Sequence, residues 1–67
     1  MLSARNQFKG TVKSVKLGQV MAEVVISVGQ LEVVSLISCT SAQNLKLKVG
    51  DKATAIIKAT EVIVAKD

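Results

Sequence analysis

Three short segments combine hydroxyls and cations with no carboxylate among them: Ser3-Ala4-Arg5-Asn6-Gln7, Ser38-Cys39-Thr40-Ser41 and Lys58-Ala59-Thr60. Arg5 offers a planar fork of N–H groups, Lys58 a point charge, and Ser3, Ser38, Ser41 and Thr60 hydroxyls that rotate to donate. Asn6 and Gln7 read as the opening of a strand rather than as ligands. A donor-only set of this kind suits a tetrahedral dianion, whose four oxygens accept hydrogen bonds and donate none. Phosphate near neutral pH keeps at least one proton, and leaving it unpaired costs about 1–3 kcal/mol. Sulfate passes that filter and must be rejected by size. A short helix starting at Thr40-Ser41 adds free N–H groups and a favourable dipole.

These segments have to be positioned by strands. Over residues 6–16 Phe8, Gly10 and Val12 alternate with Lys9, Thr11 and Lys13, the period of a half-buried strand. The phase slips at Lys13-Ser14-Val15, which predicts a bulge that turns Val15 and Leu17 inward. Gly18-Gln19 is a turn, residues 20–28 a second strand with two largely apolar faces, Gly29-Gln30 a tight hairpin and residues 31–38 a third strand. Residues 40–45 are the one helical candidate, with Thr40 or Ser41 as N-cap. Val49-Gly50-Asp51 is a turn, and strands four and five follow over 53–58 and 61–65. The predicted fold class is all-β: a small five-stranded OB-like barrel with one short helix between strands 3 and 4.

At 67 residues the chain is a single domain that buries only about 60% of its unfolded surface. Ordering it costs on the order of 100 kcal/mol, which one thin core offsets only marginally. The lone Cys39 and the lack of His exclude a disulfide and argue against structural zinc, so a homo-oligomer is expected. Cys39 itself reads as a small buried hydrophobe. Nothing has the length of a signal peptide or a membrane span, which points to the cytoplasm. The net charge of +4 favours an anionic partner. Lys9, Lys13 and Lys16 read as a solvated strand face, as do Lys46, Lys48 and Lys52.

An enzyme is disfavoured, because there is no nucleophile–base pair and Glu23, Glu32, Asp51, Glu61 and Asp67 are scattered. The alternative function is an OB-type nucleic-acid-binding module. Against it, stacking platforms are aromatic, and Phe8 is the sole aromatic residue.

The same segments resemble the molbindin, or Mop, family of small molybdate-binding proteins. Ser-Ala-Arg-Asn-Gln at 3–7, the Ser38 and Ser41 pair before a short helix, Leu-Lys-Val-Gly at 47–50 and Ile-Ile-Lys-Ala at 56–59 carry the resemblance across nearly the whole chain. It implies a single Mop-type domain over 1–67 that assembles as a hexamer, a trimer of dimers. It further implies storage of molybdate or tungstate at subunit interfaces, without direct metal coordination, organic cofactor, nucleic acid or membrane. Ser3, Arg5, Ser38, Ser41, Lys58 and Thr60 would line the main site, and backbone N–H groups of Gly18, Gln19 and Val20 a second one. Two features depart from the pattern. Lys46 stands where the family often has Gly after the helix, and the Val28-Gly29-Gln30-Leu31 hairpin is short.

Overall fold

The alternating segments form one antiparallel sheet in a computed structural model that describes residues 4–66. Its strands are β1 (Asn6–Leu17), β2 (Met21–Val28), β3 (Leu31–Ser38) and β4 (Lys52–Ile57), with the helix α1 (Cys39–Asn44) between β3 and β4. The spatial order is β3-β2-β1-β4. β1 serves two neighbours in turn. Its first half pairs with β4, from Asn6↔Ile57 to Thr11↔Lys52, and its second half with β2, from Thr11↔Ser27 to Leu17↔Ala22. A strand that passes from one neighbour to the other has to coil, and the sheet curls into an OB-like half-barrel.

The coiling has a cause in the sequence. Register shifts between Val12 and Ser14, so Lys13 is the extra residue of a bulge, where the hydrophobic phase slips. Val15 consequently packs on the core, whereas Leu17, expected inside, is 60% exposed. Gly10 marks the closest strand approach: a Cβ there would lie 2.2 Å from the Ser27 carbonyl oxygen. In the β2–β3 hairpin Gly29 takes φ +59 and Gln30 stays at negative φ, the sign pattern of a type II′ turn.

α1 starts one residue earlier than expected, and its N-cap is neither Thr40 nor Ser41. Ser38, still extended at the end of β3, accepts the Ser41 N–H on its side-chain oxygen at 3.0 Å. The register Met21↔Ser38 ends the ladder at that residue and decides among the three hydroxyl residues of the segment. At the other end Lys46 takes φ 54. Its N–H donates to Gln43 and that of Leu47 to Ala42, at 3.0 and 3.2 Å, which is a Schellman closure with lysine in the position glycine favours.

The core is thin. Val12, Val24, Ile26 and Ala55 form its centre, flanked by Val15, Val28, Val33, Ile37, Leu47 and Ala53. Much apolar surface stays outside: Leu36 is 66% exposed, Ile63 93% and Val64 88%.

The fifth strand expected over 61–65 does not form within the chain. Residues Ala59–Glu61 make a 3₁₀ turn, η1, and residues 62–66 have no strand partner. Their β-branched side chains favour extension, but a strand needs a ladder. The described sheet therefore has four strands, with β3 and β4 as its edges.

Candidate oxyanion-binding site

The β1–β4 ladder ends at Asn6↔Ile57, so Arg5 and Lys58 leave the sheet together as the next residues on paired strands. Lys58 remains extended at φ −66, ψ 138. The chain then turns tightly, closed by Glu61 N–H to the Lys58 carbonyl at 2.9 Å. Ala4, Arg5, Lys58, Ala59 and Thr60 line the resulting hollow of about 250 Å³. Glu61 follows Thr60 directly but is not among the lining residues. The salt bridge found among the described residues is Lys13–Glu32, so neither Arg5 nor Lys58 is neutralised there. Two cations sharing one hollow repel each other, and an anion between them relieves that repulsion.

Ser38 and Ser41 come together at the far end of the fold. Ser38 Oγ accepts the Ser41 N–H and lies 2.9 Å from Ser41 Oγ, to which it donates. With Ser38 engaged twice, the Ser41 hydroxyl keeps its own proton free to donate outward. The Gly18-Gln19-Val20 turn lies against the same corner. The Cys39 N–H donates to the Val20 carbonyl at 2.7 Å and its half-buried thiol to the Gly18 carbonyl at 3.3 Å. Cys39 thus ties the turn to the helix start, a role its sequence context does not signal. The Gly18 N–H is itself spent on the Met21 carbonyl at 2.9 Å. The Gln19 and Val20 N–H groups make no hydrogen bond among the described residues and remain as donors.

The expected ligands therefore fall into two groups. Arg5, Lys58 and Thr60 share one hollow, Ser38 and Ser41 share a corner with Gly18, Gln19 and Val20, and Ser3 lies outside the described residues. The groups occupy opposite ends of β1, whose 12 residues keep those ends on the order of 20–30 Å apart even when coiled. One chain cannot close both around a single small ion.

The TOBE domain family model matches residues 2–64. The chain belongs to the TOBE-domain family. Among TOBE-domain relatives, molybdenum-pterin-binding protein 3 of Clostridium pasteurianum is 48% identical over 64 residues, 94% of either chain. The solved structure of MopII from Clostridium pasteurianum superposes with a TM-score of 0.93 at 42% identity, covering 98% of this chain and 100% of that one. The cytoplasmic molybdate-binding protein ModG, in a form with molybdate bound, gives a TM-score of 0.90 at 42% identity, covering 94% of this chain and 45% of ModG. Mop proteins are thus full-length homologues, and the resemblance read from the sequence motifs holds.

Proposed function

We propose that the chain binds molybdate, and the size-matched dianion tungstate, non-covalently in sites completed by two copies. The observation that carries this reading is the split donor set. Arg5, Lys58 and Thr60 at one end of the barrel, and Ser38 and Ser41 at the other, offer donors only, and neither group can enclose a tetrahedral dianion alone. ModG, a relative of the same fold, is described with molybdate bound. The family resemblance adds Ser3, the residue before Ala4 in the sequence, to this ligand set. The free N–H groups of Gln19 and Val20, with Gly18 as their turn, serve a second oxyanion site.

The same geometry supports assembly. The half-barrel leaves β3 and β4 as open edges, and residues 62–64 lie exposed on the same chain. Closing a barrel removes its edges. Residues 61–65 of a partner copy supply the fifth strand, and a trimer of such dimers gives the hexamer. The chain over 1–67 is then a single Mop-type domain with a cytoplasmic role in molybdate storage and homeostasis, as a binder rather than an enzyme and without an organic cofactor. No helix among the described residues is long and apolar enough to cross a membrane.

Equilibrium dialysis against molybdate, tungstate, sulfate and phosphate, alongside native mass measurement, tests the reading. Retention of the first two ions by a multiple of the 7.1 kDa chain supports it, and indifference to all four ions refutes it. Arg5→Ala removes at least one charged hydrogen bond worth about 1.5–3 kcal/mol, so molybdate affinity falls by about tenfold or more. Unchanged affinity removes Arg5 from the site.

A further inference from the structure

We propose that Gln7 is the positioning residue of the oxyanion site, holding Arg5 in its binding geometry from both sides. This inference rests on the molybdate-binding reading for its ligand and on the fold alone for its mechanics.

Gln7 makes two hydrogen bonds backward along the chain. Its side-chain Nε2 donates to the Ala4 carbonyl at 2.7 Å, and its backbone N–H donates to the Arg5 carbonyl at 3.1 Å. The first carbonyl belongs to the Ala4–Arg5 peptide unit and the second to the Arg5–Asn6 unit. These are the two planes that flank the Arg5 Cα, so Gln7 restrains φ and ψ of Arg5 together and fixes the direction in which its side chain departs. The second bond closes a turn of the γ type around Asn6.

Such bracing matters because Arg5 is exposed and lies just outside the ladder that begins at Asn6↔Ile57. No strand partner among the described residues orders it. An arginine in that position surrenders rotamer freedom when it closes on an ion, and a backbone already fixed reduces what remains to be lost. The Nε2 bond has a second effect. Ala4 lines the same hollow, and its carbonyl dipole would repel an anion; with the Gln7 amide on it, part of that negative charge is balanced. Gln7 therefore acts through Arg5 and Ala4 and need not touch the ion.

The test is a double-mutant cycle with Gln7→Met, which keeps side-chain length and the backbone N–H bond but removes the Nε2 donor. Molybdate binding to the assembled protein is measured by calorimetry in four forms: wild type, Gln7→Met, Arg5→Ala and the pair. One hydrogen bond of this kind corresponds to a loss of about three- to tenfold in affinity. The loss appears in the wild-type background and disappears when Arg5 is already alanine. In parallel, ¹⁵N relaxation of the ligand-free protein reads the Arg5 amide order parameter, which falls in Gln7→Met while the β2 and β3 amides stay unchanged. Equal losses in both backgrounds, or an Arg5 amide as rigid in Gln7→Met as in wild type, overturn the proposal. If wild type fails to retain molybdate, the function reading falls instead, and the relaxation measurement alone decides the mechanical role of Gln7.

Discussion

Lys46→Gly should stabilise the protein, and the reason lies entirely in one backbone angle. Lys46 is the described non-glycine residue with positive φ, at 54°, and the two bonds that close α1, Lys46 N–H to Gln43 and Leu47 N–H to Ala42, require that conformation. A side chain with a Cβ pays about 1–2 kcal/mol for the left-handed region. Glycine escapes that strain but loses about 0.4–1 kcal/mol through the greater freedom of the unfolded chain. Lys46 is exposed and takes part in no side-chain hydrogen bond or ion pair among the described residues, so little else is lost with it. The net gain is about 0.5–1 kcal/mol, which for a chain of this size raises the melting temperature by about 2–8 °C. Thermal unfolding followed by circular dichroism at one fixed protein concentration reads it, because the proposed assembly would make the midpoint concentration-dependent. Lys46→Ala is the control that removes the charge and stem but keeps the Cβ. If Lys46→Gly melts no higher than Lys46→Ala, left-handed strain is not what lysine costs at this position.

The remaining predictions concern packing, the cap, the serine pair and the tail. Gly10→Ala drives a Cβ to 2.2 Å from the Ser27 carbonyl oxygen, and because the obstacle is backbone the cost is about 3 kcal/mol or more; the variant should be largely unfolded by circular dichroism, and a native-like melt would refute the close approach. Ser38→Ala removes the oxygen that caps α1 and should cost about 1 kcal/mol in denaturant titration. Ser41→Ala spares the cap, which uses the Ser41 backbone N–H, so stability should stay within about 0.5 kcal/mol while molybdate affinity drops about three- to tenfold. Ile63→Asp changes a side chain that is 93% exposed in the single chain; native mass spectrometry should show loss of the oligomer with strand content retained, and an intact oligomer would place the tail outside the interface.

How far the sequence reaches differs from element to element, and the differences have physical causes. β3 is readable at both ends, since a Gly-led turn fixes one and a hydroxyl cluster the other, and it spans Leu31–Ser38 as expected. The bulge at Lys13 is legible because a one-residue slip reverses every subsequent side chain, which the apolar pattern records. The start of α1 is not, because Ser38, Thr40 and Ser41 are all competent caps and only the end of the β2–β3 ladder chooses between them. The bracing of Arg5 by Gln7 is equally silent, being a matter of which carbonyls a glutamine can reach once the turn has formed. The fifth strand fails for another reason. Val62, Ile63 and Val64 carry the right propensity, but propensity describes how a residue fits a sheet and supplies no partner.

That last failure and the division of the ligand set share one origin. A chain with a core of Val12, Val24, Ile26 and Ala55 is close to the smallest that holds a curled sheet, and it keeps apolar residues such as Leu36 and Ile63 in solvent. Its donors emerge where the strands stop: Arg5 and Lys58 past one end of the β1–β4 ladder, Ser38 past the end of the β2–β3 ladder. Ladder ends are where side chains escape the pleat and can converge on a ligand, yet β1 holds these two ends apart. In the proposed assembly a second copy brings its Ser38 corner to the first copy's Arg5 hollow. The contact that closes the site can also bury exposed apolar surface, so oxyanion binding and assembly should be thermodynamically linked. Molybdate should therefore raise the melting temperature more than its occupancy of a preformed pocket would, and most strongly at protein concentrations where the oligomer begins to dissociate.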